Sequence, residues 1–296
     1  MLIFPVSTLA EDMSDSIHEA ISGSVESTAN FLDDFFVSER SLVEGTKSKA
    51  ILAFINTYHD QGTSEQEYQI DVRLHLPNTE NRFRLFIQNS VDFDSENDDS
   101  VFRSAENQEE GAGNYSAALQ YIFAESKLWQ VSSRAGVTFS IPADPFFRFR
   151  VRRLIPHQWF DTRLIQEFYW SDSEKFKEKT SAELERLLNK DYFTRLRYEF
   201  LWGEKERQFT FINGLSLYHK LKSNHVIRYD IGYKSIIENR FDLQRVFANI
   251  HYRRNIFKKW MFFELIPEIF RDETNWNKNQ FQFYFKFGFV FGRATK

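Results

Sequence analysis

The segment QFQFYFKFGFVFG, residues 280–292, places a phenylalanine at every second position. Successive side chains of a β-strand point to opposite faces, so this segment predicts a strand with one aromatic face. That face consists of Phe281, Phe283, Phe285, Phe287, Phe289 and Phe291. The opposite face consists of Gln282, Tyr284, Lys286, Gly288 and Val290.

The period of two continues upstream from this segment as far as residue 48. Apolar and polar residues alternate in about fourteen segments, separated by polar stretches that are typical of turns. The segments are 48–60, 65–77, 81–90, 114–125, 128–141, 145–156, 160–172, 176–189, 191–204, 207–222, 225–237, 241–254, 259–271 and 280–292. In 192–202, for example, Leu196 and Phe200 share one face, whereas Arg195, Arg197 and Glu199 share the other.

The composition restricts the class of protein. The 296 residues include 33 Phe and no Cys, so a disulfide framework or a cysteine-based site is excluded. No run of 18 apolar residues is present, which excludes a membrane-spanning helix. The net charge of −4 argues against general nucleic-acid binding, and nucleic acid is not among the expected partners.

The apolar face of these strands is large and aromatic, which indicates a membrane barrel. Fourteen strands enclose a lumen too wide for such side chains to fill, so the apolar face is expected to meet lipid and the polar face to line the interior. Closure is required because unpaired strand edges are not tolerated in lipid. The prediction is therefore an all-β, closed antiparallel transmembrane barrel of about 14 strands. Counts of 12 or 16 stay open, as does a soluble β-sandwich or β-solenoid.

The end of the last strand carries a more specific signal. Lys286-Phe-Gly-Phe-Val-Phe291 resembles the closing-strand signal of Gram-negative outer-membrane β-barrel proteins, the class that includes the porins. The resemblance implies an outer-membrane location, contact with outer-membrane lipid and recognition by the barrel-assembly machinery. The signal usually ends at a terminal aromatic residue, whereas here residues 292–296 follow Phe291. No named family within the class is matched.

The chain before the barrel divides into two short regions. Residues 1–10 form an apolar run that ends in small residues, and we interpret them as the remnant of a signal peptide that lacks its basic start. Residues 11–47 are acidic, and their apolar residues partly fit one face of a helix. This N-terminal helical segment is expected to lie in the periplasm, to cap the barrel mouth or to enter it as a plug. Residues 48–296 form the barrel.

The polar faces carry many charges of both signs. The predicted lumen-lining residues are Arg73, Arg134, Arg148, Arg150, Arg152, Arg163, Glu167, Glu183, Glu185, Arg195, Arg197, Glu199, Arg228, Asp230, Arg245, Arg253, Glu264 and Glu268. Arg148, Arg150 and Arg152 lie on one side of one strand, and the preceding strand offers Arg134 and no acid. Facing charges of opposite sign predict ion-pair networks, and an excess of arginines can select for anions.

Three functions are compatible with this pattern. The first is a narrow pore for small polar or anionic solutes through the Arg/Glu-lined lumen. The second is a plugged structural or interaction barrel without transport. The third, less favoured, is a lipid-modifying outer-membrane enzyme, because Ser216 and His219 fall on opposite faces and no hydrolase motif is found. The sequence predicts no catalytic residue, cofactor or metal site.

Overall fold

The computed structural model describes residues 27–32, 35–36, 48–60, 62–76, 82–89, 115–238, 241–257, 260–273 and 275–292. Residues 1–10, most of 11–47 and the long acidic connection 90–114 lie outside these ranges. The proposed signal remnant and the role of that connection therefore stay predictions.

Fourteen antiparallel strands form one closed barrel, as the sequence predicted. The strands are β1 Lys49–His59, β2 Ser64–His75, β3 Phe83–Asn89, β4 Tyr115–Glu125, β5 Trp129–Thr138, β6 Asp144–Pro156, β7 Asp161–Ser171, β8 Lys175–Leu187, β9 Tyr192–Gly203, β10 Phe209–Lys222, β11 His225–Ile237, β12 Phe241–Asn255, β13 Met261–Asp272 and β14 Gln280–Gly292. Each strand pairs with its sequence neighbours, and β1 pairs with β14 from Lys49↔Gly292 to His59↔Gln282. The barrel has a terminal end, at Lys49 and Gly292, and a far end, at His59 and Gln280.

The strand ends differ from the predicted ones by a few residues. The largest difference is at β5, which ends at Thr138 rather than at residue 141. Residues 140–143 belong to the turn instead, where the Ser140 hydroxyl donates to the carbonyl of Pro142 (2.7 Å). A side chain that bonds to nearby backbone competes with the strand ladder, which explains the earlier end.

The outside of the barrel is apolar and the inside is polar. In β14 the outward Phe281, Phe283 and Phe291 are exposed, whereas the inward Gln282 and Tyr284 are buried. The same division holds in β2, where Tyr68 is exposed and Arg73 is buried. A soluble barrel has the opposite arrangement, so this exterior is suited to lipid.

Aromatic rings also lie on the inner face, beside small residues. The rings of Phe247 and Phe262 cover their cross-strand partners Gly232 and Gly288. A Cβ on Gly232 would lie 2.7 Å from the Phe247 Cζ atom, and a Cβ on Gly288 would lie 2.6 Å from the Phe262 Cζ atom. Both positions therefore require glycine because a ring occupies the space of a side chain.

Candidate pore lining

All eighteen predicted lumen residues point to the inner face. Sixteen are buried, and the side chains of Arg197 and Arg245 are only 11% and 13% exposed. Burial of this extent means that the interior is packed with charged side chains. The buried residues include twelve arginines and lysines and eight carboxylates, so basic groups exceed acidic ones.

The basic excess is concentrated on one side of the barrel. Six arginines on β2–β6 are buried, namely Arg73, Arg84, Arg134, Arg148, Arg150 and Arg152. Among the residues described for these five strands, no carboxylate is buried. We call these six residues the arginine sector.

Strand register brings the arginines of this sector together. Arg84 pairs with Gln120, Gln120 with Arg134, and Arg134 with Arg148, so one row crosses four strands. Each strand had to be in register with the next for this row to form. The sequence showed the arginines but not their alignment.

Glu167 joins the arginine sector to the neighbouring strands. Its carboxylate lies 2.8 Å from Arg150 Nε and 3.1 Å from Lys179 Nζ, and all three side chains are buried. One carboxylate on β7 thus bridges cations on β6 and β8.

The strands β7 to β9 carry a network of alternating sign. Glu183 Oε1 lies 2.8 Å from Arg197 Nη2, and its other oxygen lies 3.5 Å from Arg163 Nη1. Glu185 lies 2.8 Å from Arg195. The sequence predicted that these glutamates face these arginines, and the register Glu183↔Arg197 and Glu185↔Arg195 confirms it.

A second network covers β11 to β14. Arg228 Nε lies 2.8 Å from Asp230, and Arg253 donates to Glu264. Glu268 accepts from Arg245, from Asn249 (3.2 Å) and from Gln282 (2.7 Å). Each of these buried carboxylates thus accepts at least one hydrogen bond, and the bonds of Glu264 and Glu268 link β12, β13 and β14.

Arginine side chains also stack on aromatic rings, which the sequence pattern did not predict. The guanidinium carbon lies 4.0 Å from the ring centre in the pair Arg134–Phe86, 3.7 Å in Arg245–Phe270 and 3.6 Å in Arg253–Phe262. Such contacts are attractive because a cation meets the negative face of the ring. Period-two counting from Arg84, Glu264 and Glu268 would have placed Phe86, Phe262 and Phe270 on the inner face.

The described part of the N-terminal segment, residues 27–32 and 35–36, is helical and packs inside the terminal end. Ala29, Leu32, Phe35 and Phe36 are buried and cluster with the inward residues of β9 to β11. Those inward residues are Phe193, Tyr218 and Val226.

Polar contacts hold the same helical segment. Arg253 Nη1 donates to the Phe36 carbonyl oxygen (3.2 Å), and the Phe36 ring centre lies 4.7 Å from that of His251. Lys220 Nζ lies 4.3 Å from the ring centre of Phe31. These contacts join the described residues of the segment to the inner face of β10 and β12, and the role of the segment as cap or plug stays a prediction.

Ser216 and His219, the serine and histidine considered for an enzyme, do not form a nucleophile–base pair. Ser216 is buried on the inner face, whereas His219 stacks on Tyr192, with ring centres 4.3 Å apart. The buried His251 instead lies 3.3 Å from Glu264. Within the described ranges no group of three or more metal-binding side chains occurs, and no helix is long and apolar enough to span a membrane.

Comparison with known proteins gives a match in fold only. No protein-family model matches the chain, and no curated protein matches its sequence. Outer-membrane expressed OmpT of Vibrio cholerae matches with a TM-score of 0.50 and 8% identity, over 82% of this chain and 97% of that chain. A bacterial polysaccharide outer membrane secretin matches with a TM-score of 0.50 and 9% identity, over 82% and 98%. The KdgM porin matches with a TM-score of 0.38 and 8% identity, over 81% and 99%. The two matches with a TM-score of 0.50 show that the chain has the fold of an outer-membrane β-barrel.

Proposed function

We propose that the protein is an outer-membrane channel with a narrow lumen that prefers small anionic solutes. The arginine sector carries this proposal, because six buried arginines on β2, β3, β5 and β6 would create a positive potential along one side of the interior. The rows of glutamate and arginine opposite this sector would hold the wall in shape and keep the lumen narrow.

In the described conformation the N-terminal helical segment packs against the inner wall at the terminal end, where the surrounding side chains are buried. This segment would narrow the channel there, so wider opening would require it to leave its seat. The closing strand β14 would also be the segment that the barrel-assembly machinery recognises during insertion.

A barrel without transport is the second candidate. It is favoured by the burial of the inward charges, since a permanently open lumen would leave them exposed to water. A stable ion-pair network alone would account for that burial.

Channel recordings in planar bilayers distinguish the two functions. We expect discrete channel events whose reversal potential in a salt gradient indicates anion preference. Replacing Arg148 with Ser should shift the reversal potential toward cations. The matched control is Arg153→Ser, because Arg153 lies on the same strand but points outward and stacks on Trp129.

The transport proposal fails if no events are seen at any voltage, both for the wild-type protein and for a variant whose N-terminal segment is displaced. The anion-preference part fails if Arg148→Ser and Arg153→Ser leave the reversal potential equally unchanged.

A further inference from the structure

The outer wall carries a groove of about 600 Å³ that the channel proposal does not use. It crosses β12, β13, β14 and β1, over the row in which Asn249 pairs with Glu268, Glu268 with Gln282, and Gln282 with His59. The side chains of this row point inward, so the backbone of the row forms the floor of the groove. The volume is within the range of ordinary ligand pockets.

The walls of the groove are apolar side chains that point outward. Ala248, Ile269 and Phe281 border it on the far side. On the other side lie Ile250, Pro267, Phe283 and Tyr58. Ala248 and Pro267 are short, whereas most outward residues of this barrel are long or aromatic, and this difference creates the depression.

Pro267 also interrupts the ladder beneath the groove. The pairing of β12 with β13 skips Ile250/Pro267 and His251/Ile266, although the register on both sides of the gap is the same. Proline has no N–H, so the Ile250 carbonyl lacks the donor that a regular ladder would supply. A proline in the middle of a wall strand weakens pairing, and the groove is centred on it.

The direction of the groove indicates what fills it. At β1 it touches the last two residues of the strand and Asp60, at the far rim of the barrel. At β12 it touches residues 248–250, near the middle of the strand. The groove therefore descends from the rim to the middle of the wall.

The length of the groove fits within one leaflet of a membrane. Strands about 4.8 Å apart make a row of four about 14 Å long between the outermost strands. Because strands of membrane barrels tilt by about 35–45°, a row of this length descends by about 8–10 Å, which lies within the depth of one hydrocarbon leaflet, about 15 Å. At the rim, the exposed Lys278 lies 3.9 Å from the partly buried side chain of Asp60, and this pair offers charges of both signs to a lipid headgroup.

We infer that this groove is a binding site for one acyl chain of a membrane lipid, whose headgroup lies at the rim formed by Asp60 and Lys278. The chain enters from the leaflet at the far end of the barrel and ends near Ala248. The inference does not depend on transport, since it concerns the outer face alone.

Native mass spectrometry of the detergent-purified protein tests the site. Phosphatidylglycerol and phosphatidylethanolamine with identical acyl chains are titrated separately, and retained lipids are counted. The variant Ala248→Phe fills the groove, and the matched control Ala182→Phe adds the same ring at another half-buried outward alanine, on β8. We expect one tightly retained lipid, and about tenfold weaker retention in Ala248→Phe only, which corresponds to about 1.4 kcal/mol.

Two results would overturn the inference. One is equal lipid retention by Ala248→Phe and Ala182→Phe while both remain folded. The other is a lipid-free dimer that Ala248→Phe dissociates, because the groove would then hold a second copy of the chain. As a second readout, a lipid with a photoreactive acyl chain should label peptides that contain Ile250, Pro267 or Phe283, and uniform labelling around the barrel would contradict the site.

Discussion

At the scale of single residues, Glu167 shows how the interior is stabilised. Its carboxylate is buried between Arg150 and Lys179, at 2.8 and 3.1 Å. A buried ion pair adds little to stability over an apolar contact, yet removing one partner is costly because a buried charge is left behind. The residue therefore affects both stability and the charge of the lumen.

Opposite substitutions in this pair should have opposite effects on selectivity. Glu167→Gln should lower the free energy of unfolding by about 3–5 kcal/mol, because it removes the buried carboxylate that Arg150 and Lys179 share. Arg150→Ser should lower it less, because Glu167 keeps its ion pair with Lys179. Glu167→Gln should strengthen anion preference, whereas Arg150→Ser should weaken it. Urea unfolding in lipid vesicles and reversal potentials measure the two effects.

The control for this pair is Glu178→Gln. Glu178 lies on the outward face of β8, where it accepts a hydrogen bond from Gln166 (2.8 Å). If this variant changes stability and selectivity as much as Glu167→Gln does, the lumen network has no special role.

At the scale of elements, β14 closes the wall of the barrel, and the N-terminal helical segment packs inside the terminal end. β14 is held on both sides, by β13 and by β1. Among the described residues, the helical segment is held by its apolar cluster and by the bond from Arg253 to the Phe36 carbonyl oxygen. Backbone ladders fix β14 on both sides, so we expect the helical segment to be the more easily displaced of the two.

Because the outer face of β14 meets lipid, the cost of a charged substitution there should depend on its depth in the membrane. Phe285→Lys, in the middle of the strand, should cost about 2–4 kcal/mol of folding free energy, and Phe281→Lys, at the rim, about 0–1 kcal/mol. Unfolding midpoints in vesicles of one lipid composition give the comparison. Equal costs at the two depths would argue against burial of this face in the hydrocarbon core.

A substitution that weakens the packing of the helical segment inside the barrel should change the conductance. Leu32→Asp places a carboxylate among Phe193, Tyr218 and Val226, at a cost of at least about 2 kcal/mol, or about thirtyfold in occupancy of the seat. Single-channel recordings should then show more frequent or larger openings. Asn30→Asp is the control, because Asn30 is exposed on the same segment, and equal recordings from both variants would contradict the plug.

At the scale of the whole molecule, the charge distribution is uneven. The chain carries a net charge of −4, yet the buried interior carries four more basic than acidic groups. Closure of the barrel separates the inner charges from those outside, because charges on the inner face act on a solute in the lumen at short range.

Anion preference should therefore depend on ionic strength. At about 0.1 M salt the screening length is about 10 Å, and at about 1 M it is about 3 Å, so the arginine sector acts across the lumen only at low salt. Reversal potentials at the same salt ratio should indicate weaker anion selectivity at the higher concentration. Selectivity unchanged by salt would indicate direct solute binding or sieving by size instead.

The outer wall of the barrel could be predicted from the sequence alone. Strand number, strand limits within a few residues and the face of each side chain follow from a period of two, which is a local property of an extended chain. The tilt and register of the strands are not local. They decide that Arg84, Gln120, Arg134 and Arg148 form one row and that a groove descends across four strands.

Only the tertiary structure decided how the interior is filled. Arg253 meets Phe36 across 217 positions of sequence, and Glu167 bridges cations from two strands. Such contacts exist only after the barrel has closed, because closure brings distant strands around one lumen. The alternation of apolar and polar residues predicts which side chains point inward, whereas the packing and charges of those side chains decide whether the lumen conducts.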